Sequence, residues 1–411
     1  MPKLLQINPV LRQSTSTGRI MREIGEIAIS EGWKSYIAYS LGRDGAMTSS
    51  SNLISVGNKL DVVKHGLLTR LFDRHGLSSV SATKDFIRRI DEINPDIIHI
   101  HNIHGYFLNY PILFKYLANK EKKVIWTVHD CWLYTGHCYY YSAIGCDKWK
   151  DGCRNCPQRG EFPKSWIIDR SANNFADKKK AFTSLSHKNF VIVPVSDWIR
   201  SEMRHSFLKD YDFRVIHNGI DLDTFSPADP AIARSKYDIK EKTIILGVAS
   251  IWLPEKGLPD FLKMADRLSS DERIVLVGKM DDADVNKLPS KITYIKRTDN
   301  ISELAALYSL ATALVNPTWQ DNYPTVNLEA QACGTPVVTY KTGGSPESIT
   351  STTGRIIEQG DVNGLLSSVR EFSVMDRDNL RVLCREHALA NFAKKDRYAD
   401  YLKLYTEMIM R

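Results

Sequence analysis

Asn316 to Glu347, NPTWQDNYPTVNLEAQACGTPVVTYKTGGSPE, is the stretch on which the fold turns. An apolar run, 311–315, precedes it and reads as a buried strand ending at Asn316-Pro317. Asp321-Asn322-Tyr323-Pro324 is turn chemistry. Thr325 to Cys333 has the composition of a short helix, stopped by Gly334. Pro336 to Tyr340 is strand-like and β-branched, and Gly343-Gly344 makes a second turn. Strand, loop, helix, strand, loop is half of a doubly wound α/β sheet. Its loops fall at the carboxyl ends of strands, where such sheets bind ligands.

The residue types in those loops suggest what the ligand is. A helix starting near Thr325 offers free backbone N–H groups to an anion. Glu329, about one turn inside it, can accept hydrogen bonds from a neighbouring diol, and Asp321 can reach another part of the same molecule. Helix amides for a phosphate and two carboxylates for hydroxyls suit a nucleotide-sugar. An ordinary α/β loop with surface acids is the alternative.

The stretch resembles the donor-site signature of the retaining nucleotide-sugar glycosyltransferases with two Rossmann-like domains, the GT-B fold (glycosyltransferase family 4, glycosyl transferases group 1). That pattern is Glu, seven residues, Glu-Ala, a small-Gly-x-Pro-Val-Val strand and a Gly-Gly-x-Pro-Glu loop. The present chain has Asp321, seven residues, Glu329-Ala330, then Cys333-Gly334-Thr335-Pro336-Val337-Val338 and Gly343-Gly344-Ser345-Pro346-Glu347. Asp in place of the first Glu keeps the charge but shortens the reach by one methylene, which bears on the donor sugar. The resemblance implies two doubly wound parallel-sheet domains facing across a cleft. It places an acceptor-side domain at 1–225, a donor domain at 226–390, and a terminal helix, 391–411, returning to the first domain.

The totals agree with such an architecture. A chain of 411 residues is too long for one core and splits naturally into two domains. With 43% hydrophobic and 25% charged residues, disorder and fibrous repeats are not indicated. No apolar run reaches membrane-spanning length, and MPKLLQINPV reads as a first strand rather than a signal peptide, so a cytoplasmic location is expected. A net charge of +7 suits anionic substrates or the inner face of an anionic membrane. The basic residues are dispersed and no nucleic-acid-binding motif is present.

Along the first half, Leu4–Asn8 is a strand, Gln13–Gly18 a turn, and Ile20–Glu31 a helix with apolar residues at Ile20, Ile24, Ile27 and Ala28. Trp33–Tyr39 reads as a strand, and Ser49–Ser81 shows no clear pattern. Asp85–Ile93 is helical, and Ile97–His101 is a strand whose alternation puts His99 and His101 on one face, as a metal pair or as hydrogen-bonded histidines. Val124–His129 is a further strand, with His129-Asp130 at its carboxyl end suited to hydrogen-bonding sugar hydroxyls or stabilising charge. The resemblance places His129 near the donor sugar and reacting carbon, and His101, His104 and Asp130 on the acceptor side. Gly18 would border the donor diphosphate, with Thr17-Gly18 in place of the usual Gly-Gly pair.

Five cysteines follow: Cys131, Cys138, Cys146, Cys153 and Cys156, the last two as C-x-x-C. Disulfides are disfavoured in a cytosolic chain. Cys138, Cys146, Cys153 and Cys156 are therefore candidates for a structural zinc, with Cys131 a packed thiol; reduced cysteines in a loop are the alternative. Such an insert resembles a subgroup associated with bacterial exopolysaccharide and capsule synthesis, including colanic-acid-type enzymes.

In the second half, strand Thr243–Val248 leads to Glu255-Lys256-Gly257 and a helix from Leu258 to Leu268. A Lys at such a turn suits a diphosphate. The family has Arg, four residues, Lys-Gly here. Lys256 matches, but Ile251 occupies the Arg position, leaving Lys279 or Arg297 to supply the missing cation. The resemblance thus implies Lys256, His129 and Asp321 as catalytic. Donor contacts would come from Gly18, Lys256, Arg297, Asp321, Asn322, Tyr323, Pro324, Thr325, Val326 and Glu329. The last helix, Tyr398–Met410, carries an apolar stripe for packing on the first domain or for binding a membrane.

The expected reaction is retaining transfer of a sugar from a nucleotide diphosphate-sugar to a hydroxyl of a glycan, lipid-linked by resemblance. No catalytic metal is expected, because no DxD-type site is evident at the donor loop. A nucleotide-sugar 2-epimerase and an inactive binding partner are the alternatives. A dehydrogenase is disfavoured because G-x-G-x-x-G is missing after the first strand.

Overall fold

The computed structural model describes residues 1–12, 15–40 and 48–411. Gln13 and Ser14, in the turn expected from Gln13 to Gly18, lie outside the described residues. Two compact units emerge: Met1–His217 together with Tyr398–Arg411, and Asn218–Arg397. The division falls between His217 and Asn218 rather than at 225/226, and the chain rejoins the first unit at Tyr398 rather than 391.

The first unit runs β1 (Lys3–Ile7), α1 (Ser16–Ser30), β2 (Lys34–Ser40), β3 (Asn52–Val56), α2 (Lys59–Phe72) and α3 (Val80–Ile93). It continues with β4 (Ile97–Ile100), α4 (Tyr110–Asn119), β5 (Val124–Val128) and α5 (Ser171–Phe182), then β6 (Phe190–Pro194), α6 (Asp197–Met203) and β7 (Asp212–Phe213). The strands form a parallel sheet in the order β3-β2-β1-β4-β5-β6-β7. Its central strands are apolar on both faces, as helix-covered parallel strands must be. One face packs under Phe86, Phe114 and Phe182, and the other under Ile20 and Ile24 of α1.

The second unit runs α7 (Pro230–Lys236), β8 (Thr243–Ile251), α8 (Leu258–Ala265), β9 (Glu272–Lys279), α9 (Asp282–Val285), β10 (Ile292–Ile295) and α10 (Ile301–Leu310). There follow β11 (Ala313–Asn316), α11 (Thr325–Ala332), β12 (Val337–Tyr340), β13 (Gly354–Ile357), α12 (Val362–Val374) and α13 (Arg377–Asn391). Its parallel sheet is ordered β10-β9-β8-β11-β12-β13. Phe261, Met264, Leu276, Val315, Val338 and Leu365 fill a core on one face.

The terminal helix α14 (Lys394–Met410) settles one alternative. Its stripe of Tyr398, Tyr401, Leu404, Tyr405 and Met408 is buried in the first unit with Ile24 and Val191, so it is not free to bind a membrane. The segment Ser49–Ser81, left without pattern above, forms β3, α2 and the approach to α3. The cause lies in α2, whose apolar residues do not keep to the buried face. It buries His65, Gly66 and Thr69 while Leu60, Val63 and Leu67 face solvent. Among the described residues no helix is long and apolar enough to cross a membrane.

Candidate active site

In the second unit the winding reverses between β8 and β11, which are neighbours in the sheet although α8, β9, α9, β10 and α10 lie between them in the chain. Crossovers leave in opposite directions on either side of this point, opening a crevice at the strand carboxyl ends. The loops after β8 and β11 carry the expected donor residues. After β8, Pro254–Lys256 make one 3₁₀ turn that ends in Gly257 at φ +80°. A Cβ there would collide with the Pro317 carbonyl, so only glycine lets the two loops close on each other. The Trp319 N–H donates to the Glu255 carbonyl at 2.8 Å, and Trp319 Nε1 donates to Asp260 at 2.8 Å.

This strapping brings Lys256 and Asp321 together, with Nζ 2.8 Å from Oδ2. The sequence assigns them to different parts of a ligand; the structure pairs them directly. Asn322 and Tyr323 are buried beside them, and Pro324 occupies the N-cap of α11, where no side chain caps the helix and no acid stands in the first turn. The amides that begin at Thr325 and Val326 therefore keep their positive end for an outside anion. Glu329 is buried one turn further on, and Tyr308 Oη donates to its Oε2 at 2.9 Å. Behind the helix, Asn327 accepts from Asn316 Nδ2 (2.9 Å) and donates to Ser345 and Ser348 Oγ (2.9 and 3.0 Å). This polar lock fixes α11 against the β11 and β12 ends. Sequence reasoning missed Tyr308 and Asn327, because their partners lie on other elements.

The two substitutes for the missing cation separate clearly. Ile251 is in register with Lys279 on the adjacent strand β9, so Lys279 stands beside the vacated Arg position. Arg297 is exposed in the loop after β10, one strand further out.

In the first unit the reversal lies between β1 and β4. Gly18, in the first turn of α1, has no room for a side chain against Thr15 and Arg12. His99 is fully buried and uses both nitrogens, Nδ1 with Tyr405 Oη (2.6 Å) and Nε2 with Thr127 Oγ1 (2.7 Å). His101 is likewise fully buried, with Nε2 3.1 Å from Gln6 Oε1 and Nδ1 3.2 Å from His129 Nε2. These are hydrogen-bonded histidines, not a metal pair. His101, expected on the acceptor side, is thus hydrogen-bonded at both ring nitrogens.

The His101 partners fix tautomers. Gln6 Nε2 donates to the Met21 carbonyl at 2.9 Å, so Gln6 Oε1 must accept from His101 Nε2–H. His101 Nδ1 then accepts, and the proton comes from His129 Nε2, which puts His129 in its Nε2–H tautomer. Burial, partly opposed by Asp130, pushes the His129 pKa down to about 4. It is therefore neutral at neutral pH and suited to accept from a hydroxyl rather than to act as a cation. His104 and Asp130 form a separate pair, Nε2 to Oδ2 at 2.6 Å, at the same strand ends. Burial raises the Asp130 carboxyl, but His104 and the Trp132 N–H outweigh it and hold it low.

The cysteine insert follows directly. Lys178 is buried and anchors its start, donating to the carbonyls of Trp132 (2.7 Å) and Thr135 (2.9 Å). Cys131 is a buried thiol against Tyr134 and Tyr141. Cys138, Cys146, Cys153 and Cys156 all line one cavity of about 20 Å³.

Two parallel sheets, each with its candidate residues at the switch point, define the class. Residues 31–224 match the model of Glycosyltransferase Family 4 and residues 242–373 that of Glycosyl transferases group 1. The protein is a GT-B glycosyltransferase belonging to this family. Its relatives include the Escherichia coli K12 protein named as a colanic acid biosynthesis glycosyl transferase, WcaC, 25% identical over 87% of this chain and 88% of that one. The D-inositol 3-phosphate glycosyltransferase of Mycobacterium sp. (strain JLS) is 27% identical over 42% of each chain. Among solved structures, sucrose-phosphate synthase of Thermosynechococcus elongatus superposes over the whole of both chains with a TM-score of 0.72 at 16% identity. Anabaena HepE, solved in complex with UDP, covers 99% of this chain and 100% of its own at TM-score 0.66 and 12% identity.

Proposed function

We propose that this glycosyltransferase moves a sugar, with retention of anomeric configuration, from a nucleoside diphosphate-sugar to a hydroxyl of a lipid-linked glycan in bacterial surface polysaccharide synthesis. The carrying observation is the convergence, at the switch point of the second unit, of Lys256, Asp321, the uncapped start of α11 and buried Glu329. Lys256 and the α11 amides would stabilise charge on the leaving diphosphate. Glu329 would hold the ribose and Asp321 would orient the sugar; in the first unit, neutral His129 is suited to accept from a sugar hydroxyl. The bond from the anomeric carbon to phosphate oxygen breaks as the acceptor oxygen attacks the same face. The acceptor proton passes to the departing diphosphate. No protein nucleophile and no catalytic metal is required.

The membrane contact has its own support in the first unit. Leu60, Val63 and Leu67 of α2 are 79%, 67% and 50% exposed, and Trp166 and Ile167 are 60% and 64% exposed. The two segments adjoin, since the Trp166 N–H donates to the Arg70 carbonyl at 2.6 Å. Beside them opens a groove of about 970 Å³ lined by Phe72, Val80 and Ile168 with Lys64, Arg74 and Lys84. Exposed apolar side chains with a Trp and interspersed cations suit the surface of an anionic bilayer, here its cytoplasmic face. A lipid-linked acceptor would be met there.

Nucleoside diphosphate-sugars should be screened for thermal stabilisation and slow hydrolysis, with Glu329→Ala and Lys256→Ala as controls. One donor stabilising and being hydrolysed by the unaltered protein alone, with retained configuration by NMR, is expected. Release of an epimerised sugar nucleotide would instead establish a 2-epimerase. For the membrane, sedimentation with phosphatidylglycerol vesicles should exceed that with phosphatidylcholine and fall in Leu60→Ser/Trp166→Ala; equal partition to both lipids would remove this part of the reading.

A further inference from the structure

The cavity of about 20 Å³ in the insert is large enough for one water-sized species, and its walls are unusual. Four cysteines line it, and the thiols of Cys138 and Cys156 hydrogen-bond each other. Backbone amides are aimed at two of the sulfurs: Gly136 N–H donates to Cys153 Sγ at 3.1 Å, and the Gln158 N–H to Cys156 Sγ. Within the C-x-x-C turn Asn155 adopts φ 45°, which curls the backbone so that both cysteines face inward. His137 lines the same cavity and is almost wholly buried. Its Nδ1 lies 2.8 Å from the Asp73 carboxylate, and its buried Nε2 has no partner among the described residues. A carboxylate orienting an imidazole toward clustered thiols is the outer arrangement of a metal centre.

We propose that this cavity is a structural Zn²⁺ site in which the thiolates of Cys138, Cys146, Cys153 and Cys156 are the ligands. Soft sulfur donors without open carboxylates select zinc among the common divalent ions. Among the described residues no three of these sulfurs all lie within 4.8 Å of one another. A tetrahedral site with Zn–S distances of about 2.3 Å therefore requires the turn from Cys146 to Cys156 to contract around the ion. Binding would release the thiol protons to solvent and couple metal to the folding of the insert. Through Trp132 and Thr135, both held by Lys178, the same staple would steady the loop that starts at His129-Asp130. None of this depends on which sugar is transferred.

The test is metal analysis of the full chain purified without added metal or chelator. About one zinc per chain is expected, with X-ray absorption giving four sulfur neighbours near 2.3 Å. Cys153→Ser and Cys156→Ser should lose the zinc. If those variants fail to fold, stripping the unaltered protein with a chelator provides a second readout. It should expose four additional thiols to a thiol reagent and lower the melting temperature, and zinc should reverse both changes. Three sulfurs and one nitrogen would overturn the four-thiolate assignment in favour of His137. Folded, zinc-free protein with four reactive thiols, or a mass showing two disulfides, would overturn the site itself.

Discussion

The Lys256–Asp321 pair makes a prediction in which affinity and turnover move in opposite directions. If Lys256 receives the diphosphate, the nucleotide must share or displace Asp321. The side chains are 34% and 19% exposed with 2.8 Å between charges. Coulomb attraction at that distance is about 1.5 kcal/mol in water-like dielectric, and partly exposed pairs retain about 1 kcal/mol or less after desolvation and ordering. Asp321→Asn removes that competition and the repulsion between carboxylate and diphosphate. Nucleoside diphosphate, which lacks the sugar Asp321 would orient, should therefore bind up to about fivefold tighter, since 1.4 kcal/mol is tenfold. Donor turnover should fall by about tenfold or more, because a contact to the sugar is lost. Lys256→Ala should weaken nucleoside diphosphate binding instead. Calorimetric titration with UDP, GDP, ADP and TDP at low and moderate salt measures these effects, and the gain should shrink as salt screens the pair. If Asp321→Asn weakens nucleoside diphosphate binding as much as Lys256→Ala does, the carboxylate is part of the phosphate site and the reasoning fails.

Other outcomes follow from particular neighbours. Lys279→Ala should reduce nucleoside diphosphate affinity several-fold and Arg297→Ala should not, because only Lys279 stands in register with Ile251; equal losses would place the compensating cation elsewhere. Stability should decline as pH falls below about 6.5. His129 and His65, whose pKa values burial lowers to about 4 and about 3, take up protons in the unfolded chain before the folded one. Each therefore costs the fold on the order of 2 kcal/mol by pH 4.5, and a urea midpoint that stays flat from pH 7 to 4.5 would contradict their neutral burial. Gln6→Leu should unfix the His101 and His129 tautomers and lower turnover more than nucleoside diphosphate affinity. An unchanged pH–rate profile with full activity would leave Gln6 a packing residue only.

What the sequence makes legible is local. β11, α11 and β12 are readable because apolar run, turn residues and helix stop succeed one another within a short span, and the switch point follows from their order. The charged turn around Lys256 is readable for the same reason. What it conceals depends on distant chain. Nothing near His101 reveals that Gln6 and His129 will engage both its nitrogens. Tyr308 reaches Glu329 from another helix. Helix α2 defeats periodicity for a different reason: several of its apolar residues, Leu60, Val63 and Leu67, are on the outside. That exposure is itself informative. A helix that buries His65 and Thr69 and exposes Leu60, Val63 and Leu67 violates the rule that the core takes the apolar side. Such violations concentrate where a surface has another use. Here that use is the proposed membrane face, so the segment least readable as fold is the one that bears most directly on where the acceptor is met.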